Sequence, residues 1–380
     1  MSYALLTLWH ERQRYASGVF AVTFSAMLIA LQCGLLLGLF KITSTPIDHA
    51  TPAVRDRLIW VGSTGVPSVD LGKPIPTSFI TRLAGRPGIS PPELYIANFA
   101  NFLKPVGGTE LCFLLGTRLD QEALATADVL GPDLRAALSE PFTIVVDESD
   151  VRRLKLDTPD GKPKINGKEV RVVGRVAGLK SLAAPWVFCS THTARQLMGV
   201  MLPPDHTTYL LSLADTPERA RQVVAELRGA YSDDMTAYTA EDFSYSSREY
   251  WLTRTKAGVA IGYAALLGLL VGAVITYQTL RSATAASAKE FAILLALGIP
   301  RWRISVMVLQ QCFWVAVIGI GLAYPVCLGL RQVALQAGAD VDLRWEVLAA
   351  TASVTTFMCA AAGLLALRGV RQIEPMSLLR

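Results

Sequence analysis

The chain has 380 residues, of which 52% are hydrophobic and 18% charged, and its mean hydropathy is +0.37. That is too apolar for an ordinary soluble protein and too charged for one lying wholly in lipid, so some segments belong in a bilayer and others in water. The net charge of +5 invites a nucleic-acid partner, but residues 1–16, 281–303 and 368–380 hold nine Lys/Arg against three Glu, leaving −1 for the remainder. Basic excess beside apolar spans is the positive-inside signature, and no nucleic-acid motif accompanies it.

Residues 1–16 place Leu5, Leu6, Leu8 and Trp9 before Glu11-Arg12-Gln13-Arg14. This suits either an amphipathic helix on the inner leaflet or a plain extension of the first span. Residues 17–40 carry no charge. The run is longer than a signal-peptide core of about 7–15 residues and no A-x-A site follows, so it reads as a retained anchor. Three further apolar stretches, 257–280, 304–330 and 347–367, also exceed the roughly 20 helical residues that a hydrocarbon core of about 30 Å requires. Basic ends inside give one topology. The N-terminus, the loop 281–303 and the tail 368–380 are cytoplasmic, and residues 41–256 and the short loop 331–346 lie outside. The chain is therefore expected to be a multi-pass membrane protein with both termini cytoplasmic. Pro325 should kink the third span, and Gly262, Gly268 and Gly272 allow close helix contact on the second.

The predicted fold is four transmembrane helices with a large extracytoplasmic α+β domain between the first and second. Within residues 41–256, strands are expected at Arg57–Gly62, Leu111–Gly116, Phe142–Val146, Val170–Val176, Trp186–Cys189 and Thr208–Leu213. Pro217–Tyr231 reads as a helix, with Pro in its first turn and Ala220, Val223, Val224 and Leu227 on one face. With Thr208–Leu213 and Met235–Thr239 it makes a β-α-β unit. Asp160-Gly161 and Asn166-Gly167 are turn signals bracketing a hairpin-like insertion, and Ser247–Lys256 suits a helical stalk.

Catalytic patterns are missing. The run from Gly65 to Gly72-Lys73 has the wrong spacing for a phosphate loop and ends in Pro74. His10, His49, His192 and His206 are dispersed, and Asp147, Glu148 and Asp150 read as a solvated turn. Of six cysteines, Cys33, Cys312, Cys327 and Cys359 fall in apolar spans, while Cys112 and Cys189 lie in the outer domain, where a disulfide is left open. No bound cofactor or metal is expected.

Two segments carry a resemblance. Leu280–Ile304 reads LRSATAASAKEFAILLALGIPRWRI, and the chain closes ALRGVRQIEPMSLLR. The first is similar to the K/R-E-apolar-apolar-L-x-A-L-G-x-x-R-x-x-I motif of FtsX-like and MacB-type ABC permeases. The second resembles that family's ending, through Arg368, Pro375, Leu379 and Arg380. The opening looks like the DevC branch, whose ATPase and adaptor are separate chains. The resemblance implies a coupling helix made by Lys289, Glu290, Phe291, Leu294, Leu295 and Gly298, stopped by Pro300 and followed by Arg301. Phe291 and Leu294 would grip an ATPase, with Glu290 pairing to a basic residue there. It further implies a separate ABC ATPase subunit that binds ATP and Mg, a permease dimer, a periplasmic adaptor, an outer-membrane duct and contact with membrane lipids. The expected function is non-enzymatic: transmitting ATPase motion to a periplasmic domain that exports amphiphilic, lipid-like or small-molecule cargo. The alternatives are an FtsX-like regulator of a cell-wall hydrolase and a sensory membrane protein, the latter disfavoured by its short cytoplasmic segments.

Overall fold

The computed structural model describes residues 12–371 except positions 51, 121, 126–128, 158–160, 180–183, 287–292, 295–296 and 337–340. In chain order, apart from short 3-10 turns, the elements are α1 (Arg12–Thr43), α2 (Thr45–Asp48), α3 (Pro52–Arg55), β1 (Leu58–Ser63), β2 (Ile75–Pro76), α4 (Ile80–Leu83), β3 (Glu93–Leu103) and β4 (Thr109–Thr117). Then come α5 (Pro132–Leu138), β5 (Thr143–Asp147), β6 (Lys164–Ile165), β7 (Lys168–Glu169), β8 (Arg171–Val176), β9 (Trp186–Ser190), α6 (Thr191–Met198), β10 (His206–Thr207) and β11 (Tyr209–Leu213). The series closes with α7 (Pro217–Tyr231), β12 (Met235–Thr239), α8 (Ala240–Thr253), α9 (Lys256–Ala286), α10 (Arg301–Gln336) and α11 (Trp345–Arg371). These form two units, Met1–Gly38 with Lys256–Arg380, and Leu39–Thr255.

In the helical unit, four helices hold stretches long and apolar enough to cross a membrane: Tyr15–Gly38, Lys256–Thr279, Trp302–Ala334 and Trp345–Leu365. Hydrocarbon offers no partner to a backbone N–H, so each such segment satisfies its own backbone by coiling. α10 runs through Pro325 without ending.

The helices meet where side chains are small. An added Cβ on Gly268 would collide with Gln32, and one on Gly272 would press on Ser25 at 3.1 Å. Ser25 Oγ donates to the Ala21 carbonyl of its own helix at 2.8 Å and lies 3.2 Å from the Gly272 carbonyl of α9. Two of the three glycines expected on a contact face are thus used within the chain, whereas Gly262 faces open space. Gly319 fits against Val22, and Gly363 against Cys312.

The outer unit is built on a mixed sheet in the order β12-β1-β11-β3-β4-β9-β5-β8. β1 is buried on both faces by alternation. Leu58 and Trp60 join one core, while Ile59 and Val61 join another with Ala220, Val223, Val224 and Leu227 of α7. Trp60 meets Tyr95 and Tyr209 edge-on at centroid distances of 5.4 and 5.6 Å. α7 has the expected bounds and buried face, with Thr216 accepting from Arg219 N as its cap. The β-α-β unit is present but split, because β1 lies antiparallel between β11 and β12.

Several expectations change on folding. Asn166 and Gly167 both take positive φ and form the tip of the β6–β7 hairpin rather than its boundary. The stalk helix begins earlier, at Ala240, and is interrupted at Arg254-Thr255 before α9. Asp147 and Asp150 are buried, not solvated, and Asp147 accepts from Leu179 N at 2.7 Å. Cys112 and Cys189 are free and buried. Gly116, not Cys112, is the register partner of Cys189. Four residues of offset at about 3.3 Å each keep the two Cα atoms beyond disulfide reach.

Glu93, at the start of β3, is only 3% exposed. Its carboxylate accepts from Leu124 N at 3.1 Å and lies 3.6 Å from Arg118. Burial nevertheless pushes its carboxyl up to about 7. The folded state therefore holds a proton that the unfolded chain has released, and this group's contribution falls as pH rises from about 4.5 to about 7. At pH 8 the cost of the buried charge is on the order of 3 kcal/mol. Glu93→Gln keeps an acceptor for Leu124 without the charge. Its unfolding midpoint should match wild type near pH 5 and exceed it by several degrees at pH 8. A gap that does not change with pH would contradict this.

Candidate functional site

The loop between α9 and α10 concentrates the sequence motif, and its described residues show how it ends. Leu297 N donates to the Ile293 carbonyl at 3.0 Å, the last bond of an α-helical turn, and Ile299 N reaches back to the Leu294 carbonyl at 3.1 Å. Gly298 between them has φ +85°. A six-to-one bond closed by a left-handed glycine is a Schellman cap. Leu294 and Ile299, the positions that customarily form its apolar clasp, both pack on the same cluster. Pro300 then accepts from Arg303 N at 2.9 Å, which starts α10 at Arg301. The Arg303 guanidinium lies 5.4 Å from the centre of the Trp302 ring.

This cap sorts the apolar residues onto two faces. Leu294 and Ile299 turn inward onto a cluster that includes Tyr15, Val22, Ile304, Val308 and Cys312. Ile293 and Leu297 point away, 52% and 74% exposed. Leu294, expected as an outward grip, is thus partly buried against that cluster. Among the described residues the outward apolar side chains are Ile293 and Leu297; the sequence marks Leu297 as apolar surface of this helix but does not single out either as the grip. Helical spacing was the available signal, since positions 293 and 297 are one turn apart.

Lys289, Glu290, Phe291 and Leu295 lie outside the described residues, as do Pro375, Leu379 and Arg380 of the tail; Arg368 falls near the end of α11. At the far end of the same unit, Asp342 N donates to the Gly34 carbonyl at 3.0 Å. Val341 and Leu343 there join a cluster with Ala30, Cys327 and Val347. Among the described residues no group of three or more His, Cys, Asp or Glu side chains is placed to hold a metal ion.

Residues 262–375, which contain this loop, match the family described as FtsX-like permease C-terminal. That match covers less than half of the chain; with its four apolar helices the chain is a multi-pass membrane protein. No curated protein matches. Among solved structures, the chain is similar to the periplasmic region of MacB from Actinobacillus actinomycetemcomitans. That likeness has a TM-score of 0.34 and 12% identity, covering 53% of this chain and 96% of the other. It is also similar to the extracellular domain of the noncanonic ABC-type transporter YknZ from Gram-positive bacteria, with a TM-score of 0.32 and 9% identity over 48% and 99% of the two chains. A domain of a putative permease protein from Porphyromonas gingivalis gives a TM-score of 0.31 and 13% identity over 49% and 91%.

The cap is open to direct test. An added Cβ at Gly298 meets nothing within 4 Å, so only the backbone conformation resists substitution. A left-handed residue other than glycine costs roughly 1–2 kcal/mol, and asparagine tolerates it best. Gly298→Val should lower the unfolding midpoint of the purified protein by several degrees, and Gly298→Asn by much less. Equal midpoints for the two variants would show that the cap does not form.

Proposed function

We propose that this chain is the permease subunit of an ATP-driven, MacB-type export complex, with the 293–300 turn as the element gripped by a partner ATPase. The observation that carries the reading is the two-faced cap: Leu294 and Ile299 pack against a cluster drawn from α1, α10 and α11, while Ile293 and Leu297 stand exposed beside it. A turn rooted in the spans and offering apolar side chains outward can pass a push from a partner into the helices. Lys289, Glu290, Phe291, Leu295 and Arg301 belong to the same proposed interface, and the tail through Arg368, Pro375, Leu379 and Arg380 to the same face of the membrane.

In this reading the termini are cytoplasmic and residues 41–256 are periplasmic in a bacterial inner membrane. ATP and Mg bind the partner, so this chain is not itself an enzyme. Two permeases pair in the complex, and the outer unit works with an adaptor and an outer-membrane duct on amphiphilic or small-molecule cargo.

The test is co-purification of the membrane-embedded chain with its ATPase. Each buried apolar side chain contributes about 1.5–3 kcal/mol, so Ile293→Asp and Leu297→Asp should each weaken the complex by one to two orders of magnitude. Leu294→Ala should lower thermal stability without that specific loss. Gly298→Val should uncouple hydrolysis from export. Wild-type co-purification by both Asp variants would contradict the grip, and stoichiometric nucleotide binding by the isolated chain would contradict the assignment.

A further inference from the structure

The outer unit is joined to the helical unit by two stretches of chain only, at Gly38–Leu39 and at Thr255–Lys256. Just beyond the first and just before the second, one carboxylate gathers donors from both approaches. Asp48, the last residue of α2, accepts through Oδ2 from Ser44 Oγ at 2.5 Å and from Arg248 Nη2 at 2.6 Å. Its Oδ1 accepts from Arg55 Nη2 at 2.8 Å and from Ser244 Oγ at 3.0 Å. Arg248 Nε also donates to Ser44 Oγ at 2.9 Å, so this one guanidinium holds both ends of the turn.

α8, which supplies Ser244 and Arg248, is itself fixed to the sheet domain. Phe243 lies in the aromatic core, stacked on Tyr238 at a centroid distance of 4.8 Å. Ser246 Oγ donates to the Pro67 carbonyl at 2.9 Å, Val69 N donates to Ser247 Oγ at 3.3 Å, and Trp251 Nε1 donates to Asp70 Oδ1 at 3.2 Å. The chain leaving α1 thus reaches the outer domain through one ionic cluster whose other half stands on the helix leading to α9. Burying Ile47 in the core anchors this turn without orienting it. The charged fork of Arg248, spanning Asp48 and Ser44, supplies the orientation.

We infer that Asp48 is a positioning residue that clamps both connections into one joint, so that displacement of either span enters the outer domain as a single motion. The inference rests on the permease reading above. Without the clamp, residues 43–50 turn independently of α8, and work done at the cytoplasmic loop is dissipated before it reaches the sheet.

The experiment uses the full chain with its ATPase in proteoliposomes, carrying an environment-sensitive dye at Val106→Cys. Val106 lies beyond β3 and is 57% exposed. Asp48→Asn and Arg248→Met should assemble with the ATPase and hydrolyse ATP within about twofold of wild type, while the nucleotide-dependent change in dye signal falls at least fivefold. Asp48→Glu, which keeps the charge, should retain most of the signal. Full signal in both neutral variants would overturn the joint. So would a parallel loss of abundance, hydrolysis and signal in all three, which marks a merely structural role. A wild-type chain that recruits no ATPase overturns the permease reading and the joint with it.

Discussion

A backbone N–H in hydrocarbon has no solvent to fall back on, and much of this architecture follows from that constraint. The four apolar stretches coil because coiling alone satisfies them, and coiled helices in lipid can only approach closely where side chains are small. Gly268 and Gly272 against Gln32 and Ser25, and Gly319 against Val22, are such approaches. The same constraint dictates how the chain reverses between α9 and α10. A helix end left open beside a bilayer would waste its last carbonyls, and the left-handed Gly298 allows Ile299 to satisfy one of them. Capping then fixes which apolar side chains face the spans and which do not.

The division into two units makes the polar clusters as informative as the apolar ones. In the outer unit, β1 and its neighbours form an aromatic core around Trp60 that holds α8 through Phe243. Carboxylates serve as fasteners. Asp147 caps a turn, Glu93 ties the segment at Leu124 to the head of β3 at the cost of a raised proton affinity, and Asp48 joins α2, α3 and α8. Only Asp48 stands where the chain enters from the spans.

Sequence periodicity revealed what local rules control. The four apolar runs, α7 with Pro in its first turn and its apolar face, and β1, β4, β5, β8, β9 and β11 were all legible. β3 was not, although it is the longest strand, with 11 residues. Its run ELYIANFANFL is interrupted by Ala and Asn, which have low strand propensity. It is a strand because tertiary pairing decides the matter, to β11 at its start and to β4 along the rest. The orientation of the loop was likewise hidden: AILLAL is apolar at every position, so composition cannot say which side chain turns inward. The Asp48 cluster lay beyond any sequence rule, since Arg248 is remote along the chain and only the fold brings it near.

The account stands or falls on whether motion enters through the 293–300 turn. A photo-crosslinking amino acid placed singly at Leu297, Ile293 or Leu294 in the membrane-embedded complex reads this directly. Capture of the ATPase from positions 297 and 293, with nucleotide-dependent yield, and little from 294 is the expected result. Capture of lipid alone from 297 and 293, with the ATPase crosslinked elsewhere or nowhere, would contradict it.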